Sequence, residues 1–69
     1  MQIESVIFQN SYRREGNKEA IAVVEGGQRI FVFAWFDDEL TFKEEELVNL
    51  TVEEARDLKQ NRDIAYLQS

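Results

Sequence analysis

Apolar residues in the first half of the chain form short runs that polar residues separate. The run over residues 2–9 is rich in Ile, Val and Phe, which is typical of a β-strand. Residues 11–17 are polar and predict a turn, since Gly16 and Asn17 tolerate the positive φ that tight turns require.

The same alternation of apolar runs and turns continues to residue 36. A second strand is predicted over residues 18–25, and Gly26-Gly27 predicts a two-residue hairpin. The third strand then covers residues 28–36. All three strands follow one another through short turns, which favours an antiparallel arrangement.

The second half of the chain changes to a helical period. Thr51-Val52-Glu53-Glu54 has the form of a capping box and predicts a helix from about Val52 onward. The residues that fall on one face at helical spacing are Val52, Ala55, Leu58, Arg62, Ala65 and Tyr66. Ile64 and Leu67 fall off this stripe, so either the helix frays near Arg62 and the tail packs separately, or they extend a second apolar face.

Residues 40–50 are compatible with two structures. Thr41-Phe42-Lys43-Glu44 could cap a short helix, whereas Leu47-Val48-Asn49-Leu50 would suit a fourth strand. The chain is therefore predicted to be an α+β domain spanning residues 1–69. We expect a small three- to four-stranded antiparallel sheet, with one C-terminal helix packed on one face.

The third strand is apolar on both of its sides. Simple alternation places Phe31, Phe33 and Trp35 on one face, and the opposite face receives Ile30, Val32, Ala34 and Phe36. One helix covers one face only, so the aromatic row needs another cover. The acidic segment (residues 37–46) or the tail (Ile64, Tyr66 and Leu67) could fold over it. Alternatively, two copies could pack sheet to sheet, or a partner protein could dock there with Trp35 as an anchor.

Charge divides the chain into two halves. The formal net charge is −6, and residues 37–69 carry all of the excess, with ten acidic and four basic residues. The candidate acidic surface consists of Asp37, Asp38, Glu39, Glu44, Glu45 and Glu46. It is either a solvated face or an anionic surface that competes for the nucleic-acid groove of a partner, as in phage-type inhibitors of host enzymes.

Two short resemblances bear on these alternatives. Glu4-Ser5-Val6 resembles the Glu-Ser-Ile edge strand of the phage uracil-DNA glycosylase inhibitors, over three residues of 69 with one changed. Phe31-x-Phe33-x-Trp35 resembles the stacking strand of an RNA-binding sheet or cold-shock barrel, and the basic residues Arg13, Arg14 and Lys18 around the first turn could contact phosphate. A sequence pI near 4.5 opposes that second function.

The composition argues against catalysis. The chain has neither Cys nor His, so it lacks a thiolate nucleophile and an imidazole base, and it has no glycine-rich phosphate-binding string. We expect no enzyme, no cofactor, no metal and no small-molecule substrate. No signal peptide or membrane-spanning run is recognisable, which favours a cytoplasmic location. The expected partner is another protein, or a second copy in a homodimer.

Overall fold

The sheet and the helix predicted from the sequence are both present. The computed structural model describes residues 1–68, which form β1 (Ile3–Asn10), β2 (Lys18–Val24), β3 (Arg29–Trp35), α1 (Glu44–Leu47) and α2 (Val52–Gln68). The strands form one antiparallel sheet in the order β1-β2-β3, and α2 packs against it. The predicted α+β class is therefore confirmed.

The two turns of the sheet use glycine for different reasons. Gly26 and Gly27 have φ values of 87° and 80°, so the hairpin between β2 and β3 needs residues without a Cβ. Gly16 lies instead against the backbone of Trp35, and a Cβ at this position would come within 2.2 Å of the Trp35 carbonyl oxygen. Close approach, and not the positive φ expected from the sequence, is the reason for Gly16.

Of the two structures predicted for residues 40–50, the short helix is the one observed. α1 is a single turn over residues 44–47, and within the described residues this segment adds no fourth strand. It still contacts the sheet edge, because the Ile3 N–H donates to the Leu50 carbonyl at 2.7 Å and the Asn49 N–H donates to the Ile3 carbonyl at 2.8 Å. The segment thus closes one end of β1.

α2 begins with the predicted capping box and continues beyond the sheet. The Glu54 N–H donates to Thr51 Oγ1 at 3.1 Å, and the Thr51 N–H donates to Glu54 Oε1 at 2.9 Å. The helix does not fray near Arg62. It reaches Gln68, with Ile64 46% and Leu67 80% exposed, so these two residues form the second apolar face.

One face of the sheet, here called the covered face, carries the hydrophobic core. α2 and residues 40–50 both pack on this side. The buried cluster comprises Ile3, Val6, Ala20, Ala22, Val32, Phe33, Trp35, Phe42, Leu47 and Ala55. The acidic segment does fold over Phe33 and Trp35 of the aromatic row through its Phe42, as one of the expectations had it, but it does so on the same face as the helix.

A β-bulge in β3 separates the three aromatic residues that simple alternation groups together. Phe33 pairs with Ala20 and Phe31 pairs with the next residue, Ile21, so Val32 is an extra residue in the ladder. Because consecutive residues of β2 point to opposite faces, Phe33 and Phe31 do so as well. The prediction that Phe31, Phe33 and Trp35 share one face is wrong for Phe31.

Among the described residues, no helix lies over the other face of the sheet, here called the open face. Ile7, Ile21 and Phe31 lie in one row across the three strands and are each half-buried. The loop between β1 and β2 covers one end of this face, where the Arg13 guanidinium carbon lies 4.0 Å from the centre of the Phe31 ring. The tail, which was the other predicted cover, is part of α2, and the residues by which α2 packs on the sheet, Val52, Ala55 and Leu58, lie on the covered face.

Candidate functional site

The acidic segment contributes one aromatic ring to the core, and this ring brings the two predicted sites together. Phe42 lies 4.7 Å from Phe33 and 5.2 Å from Trp35, measured between ring centroids. Trp35 also packs edge-on against Phe8 of β1 at 5.5 Å. The acidic residues and the aromatic row are therefore neighbours in space, although the sequence places them in separate elements.

A groove opens at the edge of this aromatic cluster. Its volume is about 240 Å³, and the residues that line it are Phe8, Lys18, Trp35, Asp37, Thr41 and Phe42. Phe8 is 36% exposed, whereas Trp35 is only 5% exposed and forms part of the floor. Sites for small molecules usually measure roughly 300–1,000 Å³, so this groove suits a single apolar side chain better. We call it the aromatic groove.

Three of the six predicted acidic surface residues have structural partners. Glu44 Oε2 accepts a hydrogen bond from the Val6 N–H at 2.8 Å. Glu46 forms an ion pair with Arg62, and Asp37 Oδ1 accepts a hydrogen bond from the Asn17 side-chain amide at 3.1 Å.

The other three acids of this surface are exposed. The side-chain carboxylates of Asp38, Glu39 and Glu45 make no hydrogen bond or ion pair with the described part of the chain. They are the residues of the predicted acidic surface whose charge is fully available to a partner.

Arg62 explains the electrostatic state of Glu46. The guanidinium hydrogen-bonds to Glu46, donates to the Thr41 carbonyl at 2.8 Å and lies 4.8 Å from the centre of the Phe42 ring. The hydrogen bond from Arg62 is the main reason that the pKa of Glu46 lies below its usual value, and the Lys43 N–H adds to the effect. This ion pair ties α2 to the acidic segment beside the aromatic groove.

Glu19 on the open face is a second carboxylate with local partners. It accepts a hydrogen bond from Gln9 Nε2 at 2.8 Å, and Arg13 Nε lies 3.4 Å from its Oε1. The hydrogen bond from Gln9, followed by that from Ser11, lowers the pKa of Glu19 below its usual value, and the charge of Arg13 acts in the same direction. Glu19 therefore fixes the loop that covers the end of the open face.

The edge of β1 is capped along only part of its length. The outward N–H groups of Ile3 and Val6 are bonded to Leu50 and Glu44. In an antiparallel strand the outward groups alternate, so those of Phe8 and Asn10 follow next. Within the described residues, no backbone or side-chain group bonds to them. The uncapped part of the edge adjoins the aromatic groove.

Sequence reasoning missed four of the residues that line the groove. Phe8 and Lys18 were assigned to ordinary strands, while Thr41 and Phe42 lay in the segment of undecided structure. A signal for Phe42 exists in the sequence, because it is the only aromatic residue between Asp37 and Thr51 and stands among charged neighbours. An isolated large apolar residue in a charged segment indicates attachment to a core.

Comparison with protein-family models, with curated proteins and with solved structures finds no match to this chain. The resemblance of Glu4-Ser5-Val6 to the glycosylase inhibitors thus remains confined to those three residues. Over residues 1–68, no group of three acidic side chains is placed to hold a metal ion. None of the helices described here is long and apolar enough to cross a membrane.

Proposed function

We propose that this chain is a non-enzymatic protein-binding domain that holds a partner protein at the aromatic groove. The observation that carries the proposal is the meeting of the acidic segment and the aromatic cluster, with Phe8 exposed at the opening. An apolar depression with a polar rim is the usual form of a site that accepts an anchoring side chain.

The free acidic residues have a role of their own in this proposal. Asp38 and Glu39 follow directly after Asp37, which lines the groove, and Glu39 lines a neighbouring depression that shares Thr41 with it, so their charge lies on this side of the molecule. Charges at a rim raise the association rate more than the affinity. The partner surface is accordingly expected to be basic around an apolar residue. Mimicry of a nucleic acid stays a prediction from the sequence, since half of the acids it invoked have structural roles.

Capture of a partner by immobilised variants tests this function. Phe8→Ser removes the exposed ring of the groove, and Ile64→Ser is the matched control because Ile64 is comparably exposed on α2. The wild type and Ile64→Ser should retain the same protein from a lysate of the source cells, while Phe8→Ser should lose it. Equal retention by all three forms would contradict a role for the groove.

The steering role of the acids has a separate kinetic test. Replacing Asp38 and Glu39 by Asn and Gln should slow association with the captured partner and flatten its dependence on salt. Dissociation should change little, because these side chains lie outside the apolar contact. An unchanged association rate would remove the acids from the mechanism.

The open face favours self-association as a second function. Ile7, Ile21 and Phe31 form an apolar row that no helix of residues 1–68 covers, and a sheet of this kind can pack against its own copy. Sedimentation equilibrium should then show a dimer that Ile21→Lys converts to a monomer. A wild-type monomer at all concentrations would leave the groove as the sole candidate.

A further inference from the structure

The structure assigns a binding mode to the aromatic groove, and this inference rests on the proposed function. We infer that the partner supplies an extended segment, which adds to the edge of β1 beside Phe8–Asn10 as a fourth strand. An apolar side chain of that segment enters the groove. Affinity comes from main-chain hydrogen bonds, and specificity comes from the side chain, as in other cases of strand addition.

The backbone polarity of β1 is the first argument. Edge strands expose rows of N–H and C=O groups, which proteins usually cap or obstruct. Here the caps at Ile3 and Val6 end before Phe8, whose outward N–H and C=O have no partner among the described residues. An added strand would supply both the acceptor and the donor that this part of the edge lacks.

The direction of the side chains is the second argument. Phe8 pairs with Ala20, which is buried in the core, so Phe8 points to the covered face. A strand added to β1 would lie about 4.8 Å away in the same sheet, with alternate side chains on that same face. One of these side chains would stand next to Phe8, where the aromatic groove opens. The open edge and the groove thus serve one ligand.

The cap at Val6 limits the length of the segment. The Glu44 carboxylate occupies the outward side of Val6 at 2.8 Å, so a fourth strand cannot extend past it without displacing this hydrogen bond. Beyond Asn10 the chain leaves the sheet at Ser11. A segment of about four residues therefore fits between these two limits, since each residue of a strand spans about 3.3 Å.

The charge around the site defines the flanks of the segment. Asp37 lies on the rim, Asp38 and Glu39 follow it, and Glu44 stands at the opposite end of the open edge. The one cation of the lining, Lys18, is bonded to Asn10 Oδ1 at 2.7 Å. The acidic excess selects an apolar residue with Lys or Arg on either side, and disfavours an acidic segment.

A displayed library of random peptides of about ten residues supplies the probe, with the intact protein as bait. Peptides that bind the wild type and not Phe8→Ser should share an apolar residue with basic flanks. N-methylation of such a peptide, one nitrogen at a time, should weaken binding by about tenfold at alternate positions and leave the positions between them unaffected. Amide exchange should slow at Phe8 and Asn10 and stay unchanged at Val6.

Each outcome bears on a different claim. Two results would overturn strand addition while leaving the proposed function in place. In the first, groove-dependent peptides tolerate N-methylation at every position; in the second, they leave the Phe8 amide unprotected from exchange. A library without any groove-dependent peptide overturns the proposed function itself. Protection of the Phe8 amide by concentration alone, without peptide, would identify a second copy as the added strand and overturn the assignment to a partner segment.

Discussion

The two faces of the sheet carry similar apolar residues but differ in how deeply these residues are buried. On the covered face Phe33 is 7% exposed and packs against Trp35 and Phe42. On the open face Phe31 is half-buried, beside Ile21 and under the Arg13 guanidinium of the adjacent loop. The difference between two phenylalanines that stand two positions apart arises from the single extra residue at Val32. A bulge thus decides which aromatic ring stabilises the fold and which faces solvent.

The first prediction tests whether Phe33 and Phe31 lie on different faces of the sheet. Phe33→Ala should lower the free energy of unfolding by about 3–5 kcal/mol, since it leaves a cavity in the core. Phe31→Ala should cost about 1 kcal/mol, because it loses chiefly the contact with Arg13. Urea denaturation of the two variants measures both values. Equal losses would mean that the two rings share an environment.

The second prediction concerns the loop that closes the end of the open face. Gly16→Ala should cost about 3 kcal/mol, because a Cβ would lie 2.2–2.4 Å from backbone atoms of Trp35, which cannot move aside as a side chain would. Glu15→Ala, at the exposed neighbouring position, is the control and should be nearly neutral. Thermal unfolding distinguishes them, and an unperturbed Gly16→Ala would show that the loop does not press on β3.

The third prediction compares one carboxylate beside each face of the sheet, Glu46 on the covered side and Glu19 on the open side. The pKa values of Glu46 and Glu19 are both lower in the folded state than the usual value of 4.5. Their stabilisation is therefore present above pH 4.5 and is lost as the pH falls through the folded-state pKa values. Glu46→Gln and Glu19→Gln should each reduce the loss of stability on acidification.

A matched control and two measurements complete this third test. Glu25→Gln, which replaces an exposed carboxylate on the β2–β3 turn, is the control. Denaturation at a series of pH values gives the size of each effect, which is the smallest of the three. A wild-type dependence in all three variants would place the acid-sensitive groups elsewhere in the chain.

Local signals sufficed for the elements of the fold. The three strands, the Gly26-Gly27 hairpin and the capping box at Thr51 are each encoded within a few consecutive residues. The bulge at Val32 is encoded differently, because it depends on how β3 pairs with β2 and on the close approach of Arg56. The Arg56 guanidinium donates to the carbonyls of Phe31 and Val32 at 2.9 and 3.0 Å, a contact across 24 or more positions.

The candidate site was predictable in its chemistry and not in its geometry. Net charge and the aromatic row pointed to an acidic region and an apolar region. Which acids have structural partners depends on long-range contacts, such as Glu44 to Val6. The groove itself arises where Phe42 meets Trp35 and Phe8, and these three residues come from three separate segments.

The caps on the two sheet edges have a consequence for polymerisation. Arg56 occupies carbonyl groups on the edge of β3, while Glu44 occupies an N–H on the edge of β1. A fibre of stacked sheets grows only if each added molecule offers a fresh edge to the next one. Here the β3 edge is obstructed, so copies of the chain cannot stack β1 to β3 in an unlimited series. Two copies could pair only β1 to β1, and that arrangement closes after one step.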